Sequence, residues 1–188
     1  MNIENAQQDM RFAYYGGAPG MLVSATVWVV AGAVAMLESP QRAIWTLFIG
    51  AMFIHPLAMA VSKMLGRPGT HARDNPLAGL AMANTFWLLL CLPLAYAASL
   101  VRIEWFFPAM LLVIGGRFFT FTTLYGNRLY WACGAALAAA GYLLASSHAA
   151  PAWAAFTGGA IEAAFGIAIF TTTRDTTAEV ASKQMTKG

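Results

Sequence analysis

The sequence predicts an all-α, polytopic membrane protein with six transmembrane helices. Three observations carry that reading. Hydrophobic residues make up 59% of the 188-residue chain and charged residues only 10%, with a mean hydropathy of +0.60. Soluble domains carry roughly 25% charged residues, so this composition leaves little room for one. Six apolar stretches are each long enough to cross a hydrocarbon core of about 30 Å. Finally, the basic residues fall unevenly on the connections between those stretches.

The first stretch covers 18–37 and stops at Glu38-Ser39-Pro40-Gln41-Arg42. The second covers 44–62 and ends at Lys63, before a polar loop from Gly66 to Asn75 rich in Gly, Pro and charge. The third covers 77–99, and the fourth covers 105–124 and is closed by Tyr125-Gly126-Asn127-Arg128. The fifth covers 129–145 and turns at Ser146-Ser147-His148. The sixth covers 151–171 and opens on Pro151, which suits the first turn of a helix. The chain thus divides into a cytoplasmic or interfacial segment 1–17, a transmembrane domain 18–171 and a polar tail 172–188, expected to fray. Residues 1–17 contain Glu4 and Asp9 and lack a basic start followed by a short apolar run, so they do not read as a signal peptide.

With six spans, Arg11, Lys63, Arg67, Arg73, Arg128, Arg174, Lys183 and Lys187 share one side, and only Arg42 and Arg102 lie on the other. The positive-inside rule makes the first side cytoplasmic, with both termini there. The three helices that run inward each begin near a tryptophan, Trp45, Trp105 or Trp153, which marks the outer interface.

That boundary serves as a depth ruler. His55, Arg117 and Glu162 follow those tryptophans by ten, twelve and nine residues, which places them ~13–18 Å deep. Ionisable residues in spanning helices are rare and face a partner or a water-filled cavity. Asn84 and Ser24 approach the same layer from the other side.

Glu162 sits on a helical stripe of small residues, Ala155, Gly158, Gly159 and Gly166, which predicts close packing by another helix. Arg117 keeps its charge in practice and needs a partner, and Glu162, the acidic residue at comparable depth, is the expected one. The pair reads either as a structural clasp or as an anion-binding or gating site, and Gly115-Gly116 would admit a close approach. His55 precedes Pro56, whose ring bends the helix and frees the Met52 carbonyl. Substrate-binding or gating candidates are therefore Arg117, Glu162, His55 and Asn84, with Ser24, Thr85, Met52 and Met59 as candidate lining residues. Thr120, Thr122 and Thr123 are expected to bond back to their own helix.

A repeat supports three helical hairpins in a pseudo-threefold arrangement. Gly20, Thr26 and Trp28 recur as Gly79, Thr85 and Trp87, and Arg42, Trp45, Ile54 and Gly66 recur sixty residues later as Arg102, Trp105, Ile114 and Gly126. Parallel repeats of this kind are found in transport proteins.

Several functions find no support. The scattered basic residues form no nucleic-acid patch. Cys91 and Cys133 lie in apolar stretches without metal or redox spacing. No catalytic residue set, metal site or cofactor motif is read from the chain. The expected partners are the lipid bilayer and a small solute.

The string from Tyr14-Tyr15-Gly16-Gly17 through Phe53-Ile54-His55-Pro56 to Leu124-Tyr125-Gly126-Asn127-Arg128 resembles an uncharacterised family of small bacterial six-helix inner-membrane proteins. In Gly79 to Trp87, Gly115 to Arg128 and the small-residue sixth helix, the architecture more weakly resembles the acetate-uptake and urea-channel families. Their entrance motif is replaced here by Gly17-Ala18-Pro19-Gly20. The resemblance implies a bacterial inner membrane and a homo-oligomer. A channel or transporter for a small, anionic solute is the first expectation. A membrane-embedded enzyme acting on a lipid-like substrate, and a structural or assembly subunit, are the alternatives.

Overall fold

The computed structural model describes the backbone of residues 1–185 and the side chains of residues 1–174. Six of its helices are long and apolar enough to cross a membrane. They are α2 (Ala18–Leu37), α3 (Pro40–Met64), α4 (Ala78–Val101), α5 (Phe106–Tyr125), α6 (Leu129–Ser146) and α7 (Pro151–Met185). The protein is therefore an all-helical, multi-pass membrane protein. α7 runs on past residue 171, so the segment read as a tail begins as a continuation of that helix.

Local chemistry sets the helix ends. α3 starts four residues earlier than its apolar pattern, because Ser39 caps it by accepting from the Arg42 N–H at 3.3 Å and Pro40 suits the first turn. α5 stops at Gly126, whose φ of 60° is left-handed and whose N–H bonds the Thr122 carbonyl at 2.8 Å. Asn127 then accepts from the Leu129 N–H at 2.9 Å and turns the chain into α6.

The N-terminal segment holds a further helix, α1 (Ile3–Tyr14). Asn2 caps it, Glu4 lies in its first turn and Arg11 in its last, as the helix dipole favours. Ala6, Met10 and Ala13 form its buried face. That face packs in a cluster with Leu77 and Leu124, alongside Ala81, Phe121 and Tyr125.

The six spanning helices are neighbours in the order α3, α2, α7, α6, α5, α4, with α5 also touching α7 and α1. The helices of each of the three hairpins, α2–α3, α4–α5 and α6–α7, are in contact, but the most extensive packing joins α2 to α7 and α5 to α6. The repeat does not extend to environment either. Trp28 is fully buried against Phe107, whereas its counterpart Trp87 is largely exposed. Identical residue types meet a protein core in one half and the exterior in the other, so threefold equivalence is not expressed in the packing.

Glycine brings the central helices together. A Cβ on Gly115 would stand 2.7 Å from the Gly134 carbonyl oxygen, and one on Gly134 equally close to the Gly115 oxygen. The α5–α6 contact is thus backbone against backbone. At the tryptophan end, Arg102 bonds His148 at 2.7 Å and Glu104 at 3.3 Å, tying the turn before α5 to the turn before α7. Trp45 and Trp153 are exposed there, as an interfacial belt requires.

Candidate functional site

The stripe on α7 does what its composition implies. Ala155, Gly158, Gly159, Glu162 and Gly166 are all buried. A Cβ on Gly158 would meet Leu111 at 2.7 Å and Trp28 at 3.0 Å, and one on Gly159 would meet Val29 at 2.9 Å. This close contact holds the Glu162 carboxyl in the core, at 0% exposure. Ser24 and Trp28 of α2 are the donors facing it, yet neither closes a hydrogen bond, and both carboxyl oxygens are unpartnered. The thiol of Cys133 on α6 and the guanidinium of Arg117 on α5 lie within electrostatic reach. An ionised carboxylate here has no closed hydrogen bond to satisfy it. Its charge must be met by a proton, a cation or a donor that arrives.

Arg117 is half-buried, and its Nε is buried without a partner. Its guanidinium stands 5.2 Å over the Phe121 ring, a cation–π contact one turn along the same helix. Among the described residues it forms no ion pair with Glu162 within 4.0 Å, so the expected clasp between α5 and α7 does not close. The two groups are nonetheless level. Glu162 lies eleven residues after Pro151, and Arg117 eleven after Phe106.

Asn84 of α4 is 4% exposed, and both of its amide atoms are unpartnered. Ala81 and Phe121 share one cluster, and one turn further in from each come Asn84 and Arg117. Thr122 also buries an unpartnered hydroxyl, contrary to the expectation that it bonds its own helix, whereas Thr120 does bond the Arg117 carbonyl at 2.8 Å. Each unsatisfied buried polar atom costs about 1–3 kcal/mol. Apart from the Trp105 indole, such atoms among the described residues belong to Glu162, Arg117, Asn84 and Thr122.

The remaining candidates lie elsewhere. His55 is exposed on the outside of the bundle, as are Met52 and Thr85, and Thr85 bonds back to Ala81 at 3.1 Å. Met59 is half-buried, and of the lining candidates only Ser24, also half-buried, stands beside Glu162. His55 and Glu162 therefore do not come together as an acid–base pair. Gly115 serves helix packing, and Gly116 faces open space. A crevice of about 240 Å³ lies among Gln41, Trp45, Tyr96 and Ser99, and another of about 190 Å³ among Pro19, Leu22, Val61 and Phe170. Neither is lined by Glu162, Arg117 or Asn84.

Sequence reasoning missed three participants. Trp28 read as half of a repeat but faces the carboxyl. Phe121 is one helical turn from Arg117 and supports its charge. α1 covers the basic end of α5 through Gln7, which donates to the Thr123 carbonyl at 2.8 Å, and Arg11, which donates to the Tyr125 carbonyl at 2.7 Å. The i, i+4, i+7 spacing of Ala6, Met10 and Ala13 was a signal for that helix.

The fold and the layer of buried polar groups define a six-span integral membrane protein with an ionisable centre. Residues 3–172 match the DUF7010 family, a family of unknown function, and the chain belongs to it. Comparison with curated proteins and with solved structures gives no match.

Proposed function

We propose that this protein carries a small anionic solute across a bacterial inner membrane, coupled to a proton, with both termini cytoplasmic. The observation that supports the reading is the relation of Arg117 to Glu162. They are opposite charges at one depth, each with buried polar atoms unpartnered, and they are not bonded to each other. A group that served only to fasten two helices would close its pair, because leaving both unsatisfied is costly. In this reading the Arg117 guanidinium takes the solute anion in a two-pronged hydrogen bond, with the Asn84 amide as a further donor. Glu162 takes up and releases the proton that accompanies it. The basic residues gathered on the side of the termini support the orientation.

The test is flux in liposomes. Purified protein should acidify the lumen when a small monocarboxylate is supplied outside, and Glu162→Gln and Arg117→Gln should each abolish the signal. Flux across a panel of small organic acids that matches empty liposomes would sink the proposal.

A further inference from the structure

The helix α1 is placed as no mere leader would be. It lies over the basic end of α5, the helix that carries Arg117. From Arg117 a continuous row runs toward α1. The guanidinium sits over Phe121, the Phe121 ring meets Tyr125 edge-on at 5.7 Å, and the Tyr125 carbonyl accepts from Arg11. Thr122, with its unpartnered hydroxyl, is on the same last turn of α5. The face of α5 that leads from its basic end to Arg117 therefore lies beneath α1.

Two further features bear on whether α1 moves. The joint to α2 is three successive left-handed residues, Tyr15, Gly16 and Gly17, with φ of 52°, 65° and 86°. Gly17 is required there, because a Cβ would collide with the Tyr130 hydroxyl and the Tyr125 ring. The fastening on the far side is polar. Asp9 accepts from the Ala72 N–H at 2.9 Å and from the Asn75 amide at 2.7 Å, and the Tyr14 hydroxyl bonds His71 at 2.9 Å. The Ala13 carbonyl accepts from the Gly69 N–H at 3.0 Å. α5 and α6, by contrast, are locked by backbone contact at Gly115 and Gly134. Asn75 also donates to the Ala6 carbonyl at 3.0 Å, so α1 is held by polar bonds and a narrow apolar face, and fastenings of this kind are the ones that gating elements release.

We infer that α1 is the basic-side gate of the Arg117–Glu162 site, turning at Tyr15–Gly17 and latched by Asp9 and Tyr14 to the connection between α3 and α4. The inference rests on the transport reading of that site, but its test does not. In a background of Cys91→Ser and Cys133→Ser, a Thr122→Cys reporter is labelled with a water-soluble maleimide in nanodiscs, and the peptide is read by mass spectrometry. Phe121→Cys is the second reporter. Unlatching by Asp9→Ala with Tyr14→Phe should raise the labelling rate at least about tenfold, the lower bound for the loss of three hydrogen bonds. An Asp9→Cys, Ala72→Cys disulfide should suppress labelling, and prior reduction should restore it. Rates indifferent to latch and lock at both reporters overturn the gate, whatever the flux. Labelling that follows the latch upholds the gate even where liposome flux is absent, and in that case the transport reading alone fails.

Discussion

Glu162 of α7 and Arg117 of α5 carry opposite charges at the same helical depth and do not bond to each other. That relationship separates a fastening from a site. In a fastening, loss of one partner strands the other. Here Arg117 rests on the Phe121 ring and the Glu162 carboxyl has no closed partner, so removing the carboxyl should relieve the fold and harm only the activity.

Glu162→Gln should therefore leave the protein folded, and Glu162→Leu should stabilise it by about 1–3 kcal/mol, the cost of an unsatisfied buried polar group. Thermal unfolding in detergent checks this. A variant that no longer folds would show that the carboxyl holds the bundle together after all.

The double variant Arg117→Gln, Glu162→Gln should show little coupling in stability, below about 1 kcal/mol in a double-mutant cycle. A buried contact pair would lose about 3–5 kcal/mol on breaking. A coupling in that range would mean that the two groups meet as an ion pair in the working protein.

His55 is exposed on α3, away from the buried carboxyl. His55→Leu is expected to retain proton-coupled flux within about twofold under conditions where Glu162→Gln has none, because exposed positions seldom shift stability by more than about 0.5 kcal/mol. Equal loss in both variants would return His55 to the site.

Neighbouring glycines on α5 should respond in opposite senses. Gly115→Ala drives a methyl into the Gly134 carbonyl and should cost about 1–3 kcal/mol. Gly116→Ala meets nothing within 4 Å and should gain up to about 1 kcal/mol from helix propensity. Melting temperatures of the two variants, side by side, test whether α5 and α6 touch through backbone.

Membrane spanning and the number of spans were legible in the chain. They follow from local quantities: the length of apolar runs, the 1.5 Å rise per residue and the taste of tryptophan for the interface. The burial of Glu162 was legible as well, since the spacing of Ala155, Gly158, Gly159 and Gly166 is a one-helix property. Which helices those faces meet is not. Partner choice depends on surfaces remote in sequence, and the Gly115–Gly134 contact or the seat of Trp28 beside Glu162 exists only once α2, α5, α6 and α7 are assembled. The same limit makes Trp28 and Trp87 look equivalent in the chain, makes Arg117 and Glu162 look like partners, and hides the packing of α1 against α5. Sequence alone determined that an acid and a base each sit well inside a spanning helix. The tertiary structure decided that they stand apart, because side-chain direction and helix packing, not depth, set whether two charges touch.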